Sequence, residues 1–456
     1  MTATRITSRR SARRLPGAGF VALVAAAGIS AAVAAGQTPS AYVIEGARIV
    51  TLAGPAIENG AVLIRNGKIE AVGPSVQAPA DAERIDGKGL HVYPGIFDAV
   101  SQLGLTEIGA VNATVDVAEA VPFTPQLVAA QAVHPASEHI PVARAGGITH
   151  AVAAPGLASN PRSPVVIGGQ ASAIHLSGWT VEEMLIEPSV GIVVNWPRTA
   201  TSAFDLSTFS QRTRPFREVK EEYDRRVREL GEWIDGARRY ARAIAGAPDT
   251  TERNLAFEAL VPVVEGKRPF LVQAADKRQI RDAIEFSVAR QLRLVLLGAD
   301  EAREELDPIV KHRIPVILGP TQAMPRNEDD PYDAPYSLAG DLHKAGVTVS
   351  IATFNSADSR TLPFEAGHAV AYGLPWEEAL RAITLNPART LGLDDRLGTI
   401  EPGKVANLIV TTGDPLEIRT AIRHVFINGV PVSLSNRHLE SYERWKSRPR
   451  PASSSR

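Results

Sequence analysis

The sequence predicts an α/β protein, in which a distorted (β/α)8 TIM barrel carries a small composite β-sandwich formed by both ends of the chain. From about residue 94, short apolar runs alternate with amphipathic helical patterns, which is typical of buried parallel strands joined by helices. Before and after this central part, strand-like segments with Asn-Gly turns take over. Because strand material flanks the barrel on both sides, one small domain built from both ends is the simplest arrangement.

Length and composition fit this fold and exclude several functions. A chain of 456 residues suits one large barrel plus a smaller domain. The hydrophobic share of 44% and the charged share of 22% are those of an ordinary globular protein. A formal net charge of −1 predicts no chain-wide attraction to nucleic acid. The chain has no cysteine, which excludes disulfides, thiolate nucleophiles and cysteine-ligated zinc.

Residues 1–35 read as a signal peptide. Arginines between positions 9 and 14 precede an apolar run of small residues at 17–35, which ends in an A-x-A pattern. An uncleaved membrane anchor is the alternative, but the run is rich in alanine and glycine rather than in leucine or isoleucine. No later stretch offers about 20 uninterrupted apolar residues. We therefore expect an exported, periplasmic protein without stable membrane insertion after cleavage.

The predicted sandwich comprises residues 36–93 and 394–445. In its first part, "AYVIEGARIV" and "AVLIRNGKIEAVG" read as strands, and Asn66-Gly67 predicts a hairpin because a type I′ turn needs positive φ at both central residues. In its second part, "RLGTIEPGKVANLIV" and an Asn428-Gly429 turn return to strand patterning. The polar, proline-containing residues 446–456 are predicted to be disordered.

Residues 94–393 are predicted to form the barrel. Its candidate strands are "GIFDAV", "THAVAAP", "GIVVNW", "PFLVQA", "LRLVLLG", "IPVILGP" and "VTVSIATF". Amphipathic helices such as "KRQIRDAIEFSVARQ" lie between the later ones. The main insertion, near 200–255, has apolar residues at spacings of three and four and is predicted to be helical. This helix either packs one side on the barrel or serves as a dimer arm.

Three stretches together resemble the amidohydrolase superfamily, most closely its imidazolonepropionase-like branch. They are "NGKIEAVG", "GKGLHVYPGIFDA" and "LRAITLNPARTLGLDDRLGTIEPGKVANLIV". The resemblance covers nearly the whole chain after the signal peptide. It implies a distorted barrel with a composite β-sandwich. It also implies hydrolysis of C–N bonds in amides and cyclic amides other than peptides, by water activated on one or two divalent metals such as zinc.

The positions that the resemblance assigns to metal ligands carry other residues in this chain. The histidine pair after the first strand falls on Val100 and Gln102, and a later histidine falls on Gln273. The next ligand position falls on Ala299 or Asp300. The last strand ends in Thr353-Phe354 instead of Thr-Asp, and "GIVVNWPR" holds no bridging lysine. We therefore predict no metal and no other cofactor.

The ten histidines do not compensate for this substitution, because metals in such barrels bind at the carboxyl ends of the strands. Three are predicted to precede strands and to point to the opposite rim: His150, His312 and His343. Three fall on helices or before them: His134, His139 and His368. Three belong to the sandwich or the tail: His91, His424 and His438. His175 lies in "SAIHLSGW", which reads as an irregular stretch. Since a zinc site of nitrogen ligands needs three or four donors, none is predicted.

Polar residues predicted at the carboxyl ends of the strands are the candidate site residues. They are Gln102, Glu107, Gln273, Asp276, Asp300, Glu301, Thr321, Gln322, Asn355 and Asp358. Five of them are the pocket candidates: Gln102, Gln273, Asp300, Asn355 and Asp358. Two carboxylates such as Asp300 and Asp358 could perform metal-free acid–base chemistry if one pKa is raised. Alternatively, oxygen ligands bind a hard cation, or the rim binds a ligand without chemistry.

Two functions remain open from the sequence. By resemblance, the chain is a hydrolase of non-peptide C–N bonds whose metal site is degenerate. The alternative is a catalytically inactive protein that binds a ligand or a partner on the same scaffold. No G-x-S-x-G nucleophile elbow and no Walker phosphate loop are present, so a serine hydrolase and a nucleotide site are not predicted. We expect a small-molecule ligand or substrate and no nucleic acid; a homo-oligomer is possible.

Overall fold

The computed structural model describes residues 41–157, 165–205 and 210–448. The predicted signal peptide and residues 449–456 of the predicted tail lie outside the described residues. Within the described ranges, every helix is too short or too polar to cross a membrane.

Strands from both ends of the chain share one continuous sheet. The N-terminal end supplies β1 (Ala41–Ile49), β2 (Ile57–Arg65), β3 (Lys68–Gly73), β4 (Glu83–Asp86) and β5 (His91–Pro94). The predicted hairpin joins β2 to β3, and both Asn66 and Gly67 have positive φ, at 50° and 77°. The composite sandwich is thereby confirmed, because β5 pairs with a strand formed by the C-terminal part of the chain.

The second sheet is the barrel, and all seven predicted barrel strands are present in it. Its members are β6 (Ile96–Ser101), β7 (Ile148–Ala153), β8 (Ile167–His175), β9 (Leu185–Asn195), β12 (Phe270–Ala274), β13 (Leu294–Gly298), β14 (Val316–Leu318) and β15 (Val349–Ile351). A separate hairpin follows β9 and consists of β10 (Ser202–Asp205) and β11 (Ser210–Thr213). The C-terminal strands of the first sheet are β16 (Leu408–Thr411), β17 (Ile422–Ile427) and β18 (Val430–Pro431).

One barrel strand was not predicted. β8 contains "SAIH" of the stretch that reads as irregular, and it runs antiparallel to both β7 and β9. The remaining neighbours in the barrel are parallel. The sheet therefore departs from an all-parallel (β/α)8 barrel at one strand. The sequence analysis predicted a distorted barrel but did not say which strand is distorted.

The barrel is nearly closed, because its two edge strands meet. The amide of Phe354, after β15, donates to the carbonyl of Val100 in β6 at 2.8 Å. The amide of Gln102 donates to the carbonyl of Asn355 at 3.3 Å. A buried side-chain contact reinforces this seam, since the Asp98 carboxylate accepts a 3.1 Å hydrogen bond from the Thr353 amide and a second one from its hydroxyl.

Helices cover the outside of the barrel, and one more helix follows the last strand of the first sheet. They are α1 (His139–Ala145), α2 (Val181–Met184), α3 (Phe216–Gly246), α4 (Leu255–Val264), α5 (Lys277–Ala289), α6 (Leu306–Lys311), α7 (Ala334–Lys344), α8 (Leu362–Ala371), α9 (Trp376–Ala382), α10 (Leu385–Leu391) and α11 (Arg437–Lys446). α5 begins with a capping box, in which Asp276 accepts from the Gln279 amide at 2.9 Å.

The predicted helical insertion is α3, and the hairpin before it was not predicted. The apolar stripe of α3 is buried at Tyr223, Leu230, Ile234 and Ala237, as expected for a helix that packs one side on the barrel. The indole nitrogen of Trp196, at the end of β9, donates to the Tyr223 hydroxyl at 3.1 Å. The position of α3 beside the end of β9 places it near the polar residues that follow this strand.

The barrel interior is filled with apolar side chains rather than forming a channel. Phe97, Val193, Leu271, Val295 and Ile317 are each at most 1% exposed and belong to one cluster inside the barrel. This packing is typical of TIM barrels, whose active sites lie above the packed layers at the carboxyl ends of the strands. A functional pocket is therefore expected only at this end, which we call the mouth.

Candidate functional site

The last layer of side chains at the mouth is polar on two neighbouring strands. Residues two apart in a strand share a face, so Gln273 follows the inward-facing Leu271 in β12. Asn195 lies beside Gln273 in the ladder between β9 and β12. The Asn195 amide group is buried and donates to the carbonyl oxygens of Gly156, at 2.6 Å, and Val165, at 3.1 Å. Asn195 therefore holds the rim segments that follow β7 and precede β8.

The side chains at the positions that the resemblance assigns to metal ligands do not fit a metal centre. Val100 and Ala299 are buried and apolar, at 1% and 0% exposure, and Phe354 packs against the interior cluster. Gln102 and Gln273 offer carboxamides, which are not the nitrogen or thiolate donors of a zinc site. In residues 41–157, 165–205 and 210–448, no three His, Cys, Asp or Glu side chains are grouped so that they could hold a metal ion.

Three of the five pocket candidates lie at the seam between β6 and the segment after β15. Gln102 contacts Asn355 through the backbone, and its side-chain oxygen accepts from the Thr106 hydroxyl at 3.4 Å. Asn355 and Asp358 bind each other within one loop: the Asp358 amide donates to the Asn355 side-chain oxygen at 2.7 Å, and the Asn355 nitrogen donates to the Asp358 carboxylate at 3.0 Å. These contacts shape a loop and leave Asp358 exposed.

Asp300, the fourth candidate, lies in a different part of the mouth. It follows β13, and Arg326 from the loop after β14 forms an ion pair with it at 3.0 Å. The same guanidinium lies 3.4 Å from Glu301. These residues, together with Met324, line a cavity of about 230 Å³ beside the ends of β13 and β14. No described contact joins Asp300 to Asp358, so their joint role as an acid–base pair stays a prediction.

Arg198 supplies a second guanidinium close to Asp300 and Arg326. Arg198, three residues after Asn195, is half-buried and makes no hydrogen bond or ion pair with any residue that the structure describes. Burial lowers the pKa of Arg198, repulsion from Arg326 lowers it further, and Asp276 and Asp300 act in the opposite direction. Arg198 is therefore a half-buried cation without a direct partner among the described residues.

Two opposing influences act on the pKa of the Asp300 carboxyl, whose side chain is 49% exposed. Burial is the largest influence and raises its pKa above the ordinary value, whereas the charge and hydrogen bond of Arg326 lower it. A carboxyl with a raised pKa is a stronger base than an ordinary carboxyl, which suits it to accept a proton from water. A guanidinium without a partner can bind a carboxylate or a developing oxyanion. Among the candidate residues at the mouth, Asp300, Arg326 and Arg198 are thus the ones best suited to binding or catalysis.

The remaining polar candidates stabilise the rim itself. Thr321 and the amide of Gln322 both donate to the buried carboxylate of Glu365 in α8, at 2.9 and 2.8 Å. Asp276 caps α5, and the Glu107 carbonyl lies 2.8 Å from a ring nitrogen of His139. In these contacts, the polar groups form hydrogen bonds with neighbouring parts of the rim, so the contacts do not indicate a ligand site.

Sequence reasoning missed both arginines and the Asp98–Thr353 contact. Arg198 was visible as the basic residue closing "GIVVNWPR", and Arg326 as the one arginine in the acidic stretch "MPRNEDDPYDAPYS". Asp98 was visible as the aspartate after Pro-Gly in the first barrel strand. A search for arginines just beyond strand ends could have found the first two.

Two histidines meet at the opposite end of the barrel. His150 lies within β7 rather than before it, and His175 ends β8, so the expectation of an irregular stretch there was wrong. The side-chain nitrogen of Asn407 lies 3.3 Å from Nδ1 of His150 and 3.2 Å from Nδ1 of His175. Both rings are buried, and burial lowers the pKa of His175 to about 4 and that of His150 well below its ordinary value. This pair joins the barrel to the segment before β16 and lies away from the mouth.

Comparisons with known proteins agree with the fold and the motifs. The amidohydrolase family model matches residues 323–432. The chain is 26% identical to the amidohydrolase tasK of Hapsidospora irregularis over 423 residues, which are 84% of this chain and 41% of tasK. It is 37% identical to an imidazolonepropionase of Sphingopyxis alaskensis over 83 residues, which are 17% of this chain and 20% of that enzyme. The chain thus spans less than half the length of these curated relatives.

Among solved structures, an amidohydrolase from Thermotoga maritima has the same fold. It is 27% identical, superposes with a TM-score of 0.73, and the match covers 86% of this chain and 99% of that one. The similarity therefore includes the barrel and the composite sandwich together. With the motifs in the sequence and the matching family model, it identifies the amidohydrolase superfamily as the family that this chain resembles.

Proposed function

We propose that the chain is a hydrolase that cleaves a C–N bond of a small amide or cyclic amide at the mouth, without the divalent metals of its superfamily. Similarity to the amidohydrolase superfamily supports the reaction class. The single observation that carries the site is the Asp300–Arg326 ion pair, which lines a cavity at the carboxyl ends of the strands and lies close enough to Arg198 to influence its charge. The absence of the metals is proposed because apolar residues and carboxamides occupy the positions at which ligands are expected.

In this proposal, Asp300 acts as general base and then as general acid. It takes a proton from water while the water oxygen attacks the carbonyl carbon of the amide. Arg198 donates hydrogen bonds to the oxygen that becomes negative in the tetrahedral intermediate. When the C–N bond breaks, Asp300 returns the proton to the leaving nitrogen. The products are a carboxylic acid and an amine, and no net charge is gained or lost by the protein.

A second candidate function, ligand binding without turnover, is favoured by one specific contact. The ion pair with Arg326 stabilises the ionised form of Asp300 and so makes it a weaker base. In that case the two guanidinium groups would serve to bind a carboxylate-bearing small molecule. This is the alternative of a catalytically inactive binding protein on the same fold. A turnover measurement distinguishes it from the hydrolase.

Export remains a proposal that rests on the predicted signal peptide in residues 1–35. N-terminal sequencing of protein recovered from a periplasmic extract should start near residue 36. Protein that keeps its original N-terminus would contradict cleavage.

The hydrolase proposal predicts that Asp300→Asn lowers turnover by about 100-fold or more, because loss of a general base typically removes a factor of about 10² to 10⁴. Lactams, hydantoins and N-acyl amino acids form the substrate panel. Asp358→Asn is the matched control, since this exposed carboxylate bonds only within its own loop among the described residues, and its turnover should stay within about twofold of wild type.

Two outcomes contradict the proposal. If Asp300→Asn and Asp358→Asn lose turnover equally, the two carboxylates act together and the assignment of Asp300 alone is wrong. If wild type turns over no compound in the panel but carboxylated members raise its melting temperature, the chain is a binding protein. In that case Arg198→Ala should remove the shift.

A further inference from the structure

The C-terminal helix α11 forms a regular helix that is not packed into the fold. Asn436 caps it by accepting hydrogen bonds from the amides of His438 and Leu439, at 3.0 and 3.2 Å. None of its ten residues is buried. Most helical stability in proteins comes from tertiary packing, so an isolated helix of this length needs a surface to cover its apolar side.

That apolar side is well defined. Leu439, Tyr442 and Trp445 are 48%, 64% and 55% exposed. Residues three apart in a helix are neighbours on its surface, so these side chains form one stripe. Tyrosine and tryptophan combine an apolar ring with a polar tip, which suits them to a boundary between water and an apolar phase.

Cations flank the aromatic rings of the stripe. The guanidinium groups of Arg444 and Arg448 lie 5.2 and 5.7 Å from the centre of the Trp445 ring. The Lys446 ammonium lies 5.8 Å from the centre of the Tyr442 ring. Such contacts leave the charged groups solvated beside the apolar stripe rather than opposite to it.

The charge of this end of the chain differs from that of the rest. Residues 437–456 contain six lysines and arginines and two glutamates, a net charge of +4, whereas the whole chain has −1. The near-neutral total therefore conceals a basic C-terminal end. Each basic residue close to an anionic bilayer adds to the attraction, so a net charge of +4 concentrated in one short segment favours binding to such a surface.

We propose that α11 binds the surface of a membrane that contains anionic phospholipids, with Leu439, Tyr442 and Trp445 in the headgroup boundary and the basic residues among the headgroups. Aromatic and basic residues on one short helix are typical of interfacial helices. A second protein is disfavoured because three side chains on a ten-residue helix offer far less than the roughly 800 Å² per partner of a stable interface.

A local probe on the full chain tests this proposal, and the absence of natural cysteine makes it specific. In Leu439→Cys, an environment-sensitive fluorophore reports the apolar stripe. In Glu440→Cys, the same fluorophore reports the other side of the helix, since successive residues are about 100° apart. Vesicles of phosphatidylcholine alone are compared with vesicles that also contain phosphatidylglycerol. Because the fluorophore is attached to α11, it reports lipid contact of this helix and not lipid contact of the apolar residues near the N-terminus.

We expect a blue shift at position 439 with the anionic vesicles, quenching by lipids that carry a spin label in the acyl chain, and a smaller response at position 440. Arg444→Gln, Lys446→Gln and Arg448→Gln together should raise the lipid needed for half-maximal response by about tenfold or more. The melting temperature checks that each variant is folded. An unchanged spectrum at position 439, an equal response to uncharged vesicles, or a response to protein concentration without lipid would overturn the proposal; the last would indicate a second copy as the partner.

Discussion

Between pH 7 and pH 4, the free energy of unfolding should fall by about 2–3 kcal/mol through His175 alone, because its pKa is about 4 in the folded protein and about 6.5 in the unfolded chain. The unfolded chain binds more protons in this range, so the contribution of the ring to stability is fully present above pH 6.5 and is lost as the pH falls through 6.5 toward 4. His150 is more deeply buried and acts in the same direction.

Burial is the main cause of the low pKa of His175, and the charge of Arg396 lowers it further. The hydrogen bonds around Asn407 show what a proton on the ring would meet. The Asn407 side-chain oxygen accepts from the Asn428 amide at 2.8 Å, which fixes its nitrogen toward both rings. Nδ1 of His175 therefore accepts from this group, and a proton on it would face an N–H group. Nδ1 of His150 lies 3.3 Å from the same nitrogen and 2.6 Å from the Thr149 hydroxyl. A buried charge without an acceptor is costly, so acid weakens the contact between the barrel and the segment before β16.

Denaturant unfolding of wild type and His175→Gln at a series of pH values measures this effect. Glutamine can still accept from Asn407 but does not titrate, so the variant should lose about 2–3 kcal/mol less than wild type between pH 7 and pH 4. Burial raises the pKa of Asp98 to about 6, which acts in the opposite direction, but both proteins share this group. Parallel pH profiles for the two proteins would show that His175 is not responsible.

Asp98→Ala should lower the free energy of unfolding by about 3–5 kcal/mol, because it leaves two buried donors at the barrel seam without an acceptor. The Thr353 amide and hydroxyl both donate to this carboxylate, and Asp98 and Thr353 are 0% and 1% exposed. Thr353→Val keeps the amide donor and should cost less, about 1–3 kcal/mol.

Urea unfolding of the two single variants and the double variant measures the pair directly. The double variant should be less destabilised than the sum of the singles by about 1 kcal/mol or more, since the two residues share one interaction. Asp358→Ala, an exposed carboxylate of the same rim, is the control and should stay within about 0.5 kcal/mol of wild type. Additive single effects would mean that the Asp98–Thr353 contact does not hold the seam.

The parts of the fold that the sequence predicted are those with a strong local signal. Seven barrel strands are continuous apolar runs, and the Asn66-Gly67 hairpin has a specific backbone requirement. β8 was missed because its glycines, glutamine and histidine interrupt the apolar pattern of "IGGQASAIH". α11 was missed because its residues bury nothing, so no apolar periodicity points to a core.

For the site, the sequence identified single residues but not their partners. Asp300 and Asp358 were both predicted at the mouth, yet Asp300 pairs with Arg326, which is 26 positions away in a loop. Strand periodicity determines which side chains face the interior, but it does not determine how a loop returns across the rim. The pairing of His150 with His175 likewise depends on the register of an antiparallel strand that had not been recognised.

The metal content of the purified protein tests the central claim most directly. We predict that elemental analysis of full-length protein, after incubation with zinc, iron and manganese and removal of free ions, finds well below about 0.1 ion per chain, because the described residues at the mouth do not supply the three or four donors that a site needs. Activity or ligand binding should be unchanged by a chelator. About one ion per chain that is retained through gel filtration, with activity lost on chelation, would contradict the account and identify a working metallohydrolase.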